Sequence, residues 1–201
     1  MNLKPYLLVV TGRPGSGKTT FAKTLGSEIF MPVISRDQIK EGYVHTFGKK
    51  HTELPPETNK IVTELFFDTL MGLVSNNVSV IAEAAFQHKL WSDMLERFME
   101  KVRIYLLICK IDDRLAVERF INRGLENPLR EYFHGDKGVD MARKGIIESN
   151  VVPYEEPQLD APTFHIDTSG EYNPSIKELW GKIMGLEIEK KTDVIYDYEK
   201  K

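Results

Sequence analysis

Lys18 and Thr19 close the run Gly12-Arg13-Pro14-Gly15-Ser16-Gly17-Lys18-Thr19, a glycine, four residues, then glycine-lysine-threonine. That spacing suits the wrapping of backbone amides around phosphate oxygens. Glycines let successive N–H groups turn inward, and a helix opening near Gly17 would bring its positive dipole end to the same point. Lys18 would then reach the β- and γ-phosphates, and the Thr19 hydroxyl would hold Mg²⁺. The apolar run Tyr6-Leu7-Leu8-Val9-Val10 lies directly ahead, and Phe21, Ala22, Leu25 and Ile29 follow at helical spacing. Strand before and helix after is the context a phosphate loop requires. The pattern implies a nucleoside triphosphate site.

Three further groups say what the triphosphate is for. Asp37, in Ser35-Arg36-Asp37-Gln38-Ile39-Lys40, stands at the carboxyl end of a second strand-like run. Ligands of an open parallel sheet bind beyond such ends, where a carboxylate can take the proton of an attacking hydroxyl. Ser35-x-x-Gln38 also spells a capping box, and an acid in a first helical turn suits the dipole, so the local pattern leaves Asp37 two readings. Glu83 ends Val78-Ser79-Val80-Ile81-Ala82, and is either a partner of Mg²⁺ or substrate, or a polar residue marking a strand end. Arg119 and Arg123 are four apart on a helix and share a face. Arginine's fork suits a phosphoryl group in which charge develops, although Glu118 and Glu126 are alternative partners. Arg130 and Arg143 are weaker candidates, and His45 and His134 read as loop residues.

These residues need a scaffold. Strand-like runs fall at Tyr6–Thr11, Pro32–Ser35, Val78–Glu83, Val102–Cys109 and Thr163–Asp167. Helical patterns separate them: Lys18–Ile29, Glu57–Ser75 (Ile61, Leu65, Leu70, Leu73 apolar) and His88–Met99 (Leu90, Met94, Leu95, Phe98 apolar). A further helix is capped by Asp112 and ended by Gly124, and a last one opens at Asn173-Pro174. The alternation predicts an α/β fold, a three-layer αβα sandwich on a five-stranded parallel sheet. Residues 1–185 form one domain. Residues 124–150, with a second helix at 139–149, would be a helical lid, and 186–201 a charged tail.

Bulk composition narrows the function classes. With 41% hydrophobic and 28% charged residues and a net charge of −3, the chain reads as an ordinary globular protein with no overall pull toward nucleic acid or anionic lipid. It has no 18-residue apolar span and no signal-peptide pattern at its start, so the expectation is a cytoplasmic protein without membrane contact. The single cysteine, Cys109, falls in an apolar run and reads as core.

Together these segments resemble the P-loop kinases related to polynucleotide kinase, chloramphenicol phosphotransferase and zeta toxin, of the AAA_33-type ATP-binding proteins. Gly12–Thr20 resembles their Walker A segment with its trailing Thr20. Arg36-Asp37 resembles the pair whose aspartate is the general base in polynucleotide 5′-hydroxyl kinases. Arg119 and Arg123-Gly124 resemble the lid arginines, and Ile166-Asp167-Thr168 the end of the last core strand. The likeness spans about residues 5–185 and implies ATP, Mg²⁺ and an alcohol acceptor, with Arg36, Lys40 and Glu83 on the substrate side. Lys40 stands where those kinases have arginine, and Glu83 where they have aspartate. Lysine is a point charge without a bidentate grip. No basic stripe with interleaved aromatics marks a nucleic-acid channel, so a small hydroxyl-bearing acceptor is favoured over a polynucleotide. The alternatives are an ATPase switch acting on a protein partner and a 5′-hydroxyl kinase of RNA or DNA.

Overall fold

A computed structural model describes residues 4–127, 129–135, 143 and 154–185. All of the expected second lid helix but residue 143, and the C-terminal tail, lie outside these residues. Five strands form one sheet: β1 (Tyr6–Thr11), β2 (Val33–Ser35), β3 (Val80–Glu83), β4 (Arg103–Lys110) and β5 (Thr163–Asp167). Their spatial order is β2-β3-β1-β4-β5, and every pairing is parallel. The helices are α1 (Lys18–Glu28), α2 (Arg36–Phe47), α3 (Thr58–Ser75), α4 (His88–Leu95), α5 (Asp113–Glu126), α6 (Leu129–His134) and α7 over 176–185.

β1 shows why the sheet is covered on both faces. Leu7 and Val9 point into a core with Phe66, Leu70, Trp91 and Leu95, while Leu8 and Val10 point into one with Phe21, Leu25, Ile166 and Leu179. All four β1 residues are completely buried, as a strand between two helical layers requires. With β3 on one side and β4 on the other, the chain reverses its direction of winding at β1. Its carboxyl end therefore opens on the crevice where ligands of such sheets bind.

Several local expectations are corrected. α3 buries Val62, Phe66, Phe67, Leu70 and Val74; of the expected positions Leu70 and Leu73 pack inward, whereas Ile61 and Leu65 are exposed. In α4 the buried residues are Trp91 and Leu95; Leu90 is exposed, and a 3-10 turn over Glu96–Phe98 replaces the last helical turn. Gly124 does not stop α5, which continues to Glu126. Asp112 does cap it, accepting from the Arg114 and Leu115 N–H groups at 2.9 and 3.2 Å. α7 is capped by Ser175 rather than Asn173: the Glu178 N–H donates to its hydroxyl and the Ser175 N–H to the Glu178 carboxylate, a reciprocal box.

Candidate active site

The phosphate loop joins β1 to α1, and its shape depends on one close approach. Gly15 has φ +82°, and a Cβ there would run into the backbone carbonyl of Ala116 in α5. An L-residue in this conformation costs about 1–2 kcal/mol before any overlap. Gly15→Ala is therefore expected to lower the melting temperature and abolish binding of a non-hydrolysable ATP analogue, checked by thermal melts and calorimetry. α5 also grips the loop through an ion pair between Arg13 and Asp113. On the other flank, the Thr168 hydroxyl donates to the Ser16 carbonyl at 2.6 Å. Among the described residues, the buried Ser16 Oγ itself has no hydrogen-bond partner. An orphaned hydroxyl within the glycine-rich loop is what a phosphate oxygen would satisfy.

Lys18, the first residue of α1, is 8% exposed. Burial draws its pKa down; the Glu83 and Asp37 carboxylates oppose that, and Arg123 reinforces it. One ammonium thus senses both acids and an α5 arginine, which places all four groups around one region.

Glu83 ends β3 and is 3% exposed, in register with Ser35 on β2. Its Oε2 accepts from the Ser35 hydroxyl at 2.6 Å and its Oε1 from the Thr19 hydroxyl at 3.2 Å. The capping box expected at Ser35 is consequently not formed, because Ser35 makes no side-chain cap bond to α2. The hydroxyl is turned to donate to a carboxylate that is 3% exposed, and in that orientation it accepts from no α2 N–H.

Asp37 lies in the first turn of α2 with its side chain about half exposed, 3.7 Å from Arg36 Nη1. Burial pushes its pKa up, but the positive fields of His134, Lys18, Arg36 and Arg130 outweigh it, and the carboxyl is held below its ordinary value. Arg36 Nη2 donates to the Asn59 carbonyl and Oδ1 at 3.3 and 3.0 Å. Lys40 is 4% exposed and donates to the His134 carbonyl at 3.2 Å.

The arginines of α5 are placed differently from one another. Arg119 donates to the Thr168 and Ser169 carbonyls at 3.0 and 2.8 Å, bracing the loop after β5 rather than pairing with Glu118. Arg123 lies within the electrostatic reach of Lys18. Arg130, on α6, influences Asp37, whereas Arg143 pairs with Glu131 at 2.6 Å. Pro14, in the loop, and Thr20, in the first turn of α1, are exposed.

The two histidines read as loop residues are helical. His45 is on α2, its ring tilted against that of Phe133 at 4.7 Å between centroids, and His134 on α6 bonds Glu41 Oε1 at 3.0 Å. α6 thereby docks on the face of α2 that begins with Asp37. Tyr154 and Trp91 are also at the site with no motif to announce them. Both hydroxyl and indole reach Thr11, the residue before Gly12.

Cys109 lies beneath the loop, its thiol pushed by burial up to about 12. A thiolate is the reactive form. The native protein is expected to resist maleimide at pH 8 and to label once per chain in denaturant, as mass spectrometry would show.

With this geometry in place, comparison with known proteins identifies the family. The model of AAA_33, an AAA domain, matches residues 7–141. The chain belongs to this family. Among solved structures, a putative kinase from Chloroflexus aurantiacus aligns with TM-score 0.72 and 19% identity, covering 89% of this chain and 98% of that one. The adenosine phosphosulfate (APS) kinase CysC of Mycobacterium tuberculosis, in complex with AMPPNP and APS, aligns with TM-score 0.59 and 15% identity, over 92% of this chain and 98% of its own. A gluconokinase from Sinorhizobium meliloti gives 0.53 and 13%, over 92% and 95%. At these identities the likeness is one of fold. No curated protein sequence matches the chain. Among the described residues no helix is long and apolar enough to cross a membrane.

Proposed function

We propose that this chain is an ATP-dependent kinase that moves the γ-phosphate to a hydroxyl of a small molecule. The observation that carries the reading is the shared environment of Lys18, Asp37, Glu83 and Arg123 at the mouth of the phosphate loop. A phosphate cradle alone makes a nucleotide binder; a carboxylate facing it supplies the means to activate an acceptor. Membership of the AAA_33 family and structural likeness to an APS kinase and a gluconokinase support it.

In this mechanism the loop amides, Ser16 and Lys18 hold the phosphates. Asp37 accepts the hydroxyl proton as the acceptor oxygen bonds to the γ-phosphorus, while the bond to the β–γ bridging oxygen breaks and ADP leaves. Arg123 faces the charge that develops on the transferring group, and Arg119 holds the loop after β5 that closes around the nucleotide. Arg36 and Lys40 orient the acceptor beside Asp37. Mg²⁺ suits the oxygen donors Thr19 and Glu83, whose side chains already meet at 3.2 Å; when bound it neutralises charge on the β- and γ-phosphates. Hard oxygen ligands with room left for water are what that ion prefers.

The test is ADP release measured against a panel of polyols, sugars, sugar acids and nucleosides. One or more should raise turnover and be recovered as a phosphate ester. Turnover indifferent to every hydroxyl compound but raised by a protein would replace the kinase with a switch.

A further inference from the structure

Tyr154 lies far from every motif in sequence, yet its hydroxyl meets the root of the phosphate loop. It is 2.7 Å from Thr11 Oγ1, which also accepts the Trp91 indole N–H at 2.9 Å. Thr11 and Trp91 are completely buried, whereas Tyr154 is only partly so. The direction of the bond follows from counting protons. An indole N–H only donates, so Thr11 accepts from Trp91 and must still place its own proton. Among the described residues the oxygen bonded to it is that of Tyr154, and a buried hydroxyl proton without an acceptor is costly. Thr11 therefore donates and Tyr154 accepts. The Gly12 N–H faces the same phenol oxygen.

The tyrosine is held from behind independently of that oxygen. The Glu155 N–H donates to Gln87 Oε1 at 2.7 Å, the His88 N–H to the Glu155 carbonyl at 3.0 Å, and the Gln158 N–H to His88 Nδ1 at 3.1 Å. Leu159 and Ala161 pack against the core. Tyr154 thus joins the start of α4, on the crevice rim that follows β3, to the point where β1 becomes the loop.

We propose that Tyr154 is a positioning residue for the nucleotide, fixing Thr11 and Gly12 so that the loop amides face inward before ATP arrives. This rests on the nucleotide-binding part of the function proposed above. Its action runs through Thr11, so the two hydroxyls must behave as one unit.

The experiment is a double-mutant cycle on the affinity for AMPPNP with Mg²⁺, read by calorimetry, for Tyr154→Phe, Thr11→Val and the pair. Tyr154→Phe should weaken binding about tenfold, as loss of one buried hydrogen bond would, and Thr11→Val at least as much, because it also strands the Trp91 indole N–H. The pair should be no weaker than Thr11→Val alone, where independent effects would multiply by a further factor of about ten. Thr11→Ser, which restores the hydroxyl, should recover wild-type affinity. Circular dichroism establishes that each variant is folded, and Thr11→Ser keeps the test alive if the valine fails. Single variants within about twofold of wild type, or multiplying effects, overturn this inference alone. A wild-type protein that does not bind AMPPNP overturns it together with the nucleotide reading.

Discussion

Asp37→Asn is expected to slow phosphoryl transfer about 10²–10⁴-fold, the range associated with a positioned general base. Affinity for an ATP analogue should stay near that of the wild type, because Asp37 sits on α2 and the phosphate amides belong to the loop before α1. The pH dependence has a definite sign. Burial raises the Asp37 pKa, the surrounding cations lower it further, and the net value is depressed. A depressed carboxyl keeps its base form as pH falls and loses it only below the ordinary carboxylate range of about 4. The acid limb of the wild-type rate profile between about pH 5 and 8 therefore does not arise from Asp37, and Asp37→Asn should lower the profile without moving it. A stopped assay of phosphorylated acceptor across that range checks both statements. Equal transfer by the asparagine variant would remove Asp37 as the base.

Lys18→Met should lower the transfer rate about 10²–10³-fold, as loss of one preorganised charge at a developing anion does. It should also weaken ATP binding, unlike Asp37→Asn. Two effects on the fold compete. Methionine relieves the desolvation of a buried ammonium, but it leaves Glu83, 3% exposed, without the positive charge of Lys18. Ser35 and Thr19 still hydrogen-bond that carboxylate, so the variant should remain folded and lose function rather than structure. Lys18→Arg should not rescue it, because a planar fork does not fit where a compact ammonium is enclosed. Paired measurements of ATP-analogue affinity and single-turnover rate separate this outcome from that at Asp37.

The sheet and the phosphate loop were legible in the chain because their signals are local. A continuous apolar run identifies a strand buried on both faces, and the Gly12–Thr19 spacing carries its own backbone geometry. Asp112 as a cap was legible for the same reason. Ser35 was not: its proper partner, Glu83, is on the neighbouring strand, and strand register is a tertiary property no local pattern contains. The stripe of α3 was legible in part: Leu70 and Leu73 pack inward, but Val62 and Phe66 are buried where Ile61 and Leu65 stay exposed, and only packing on the sheet decides between them. Arg119 could be placed on a helix, but its two carbonyl partners follow β5, some fifty residues on. Tyr154 and His134 had no signal at all. Each acts through a side chain brought from a separate element, with no spacing to betray it.

Phosphoryl transfer requires convergence: loop, Asp37 and Arg123 must surround one phosphoryl group. The most direct measurement is a crystal structure with ADP, Mg²⁺ and aluminium fluoride, in which the fluoride complex occupies the place of that group. The Asp37 carboxylate should lie on the side of the fluoride opposite ADP, with Lys18 and Arg123 against its edge. A fluoride complex whose far side is lined by other groups, with Asp37 turned to solvent and a water held in line by a different residue, would contradict the kinase and describe a hydrolase.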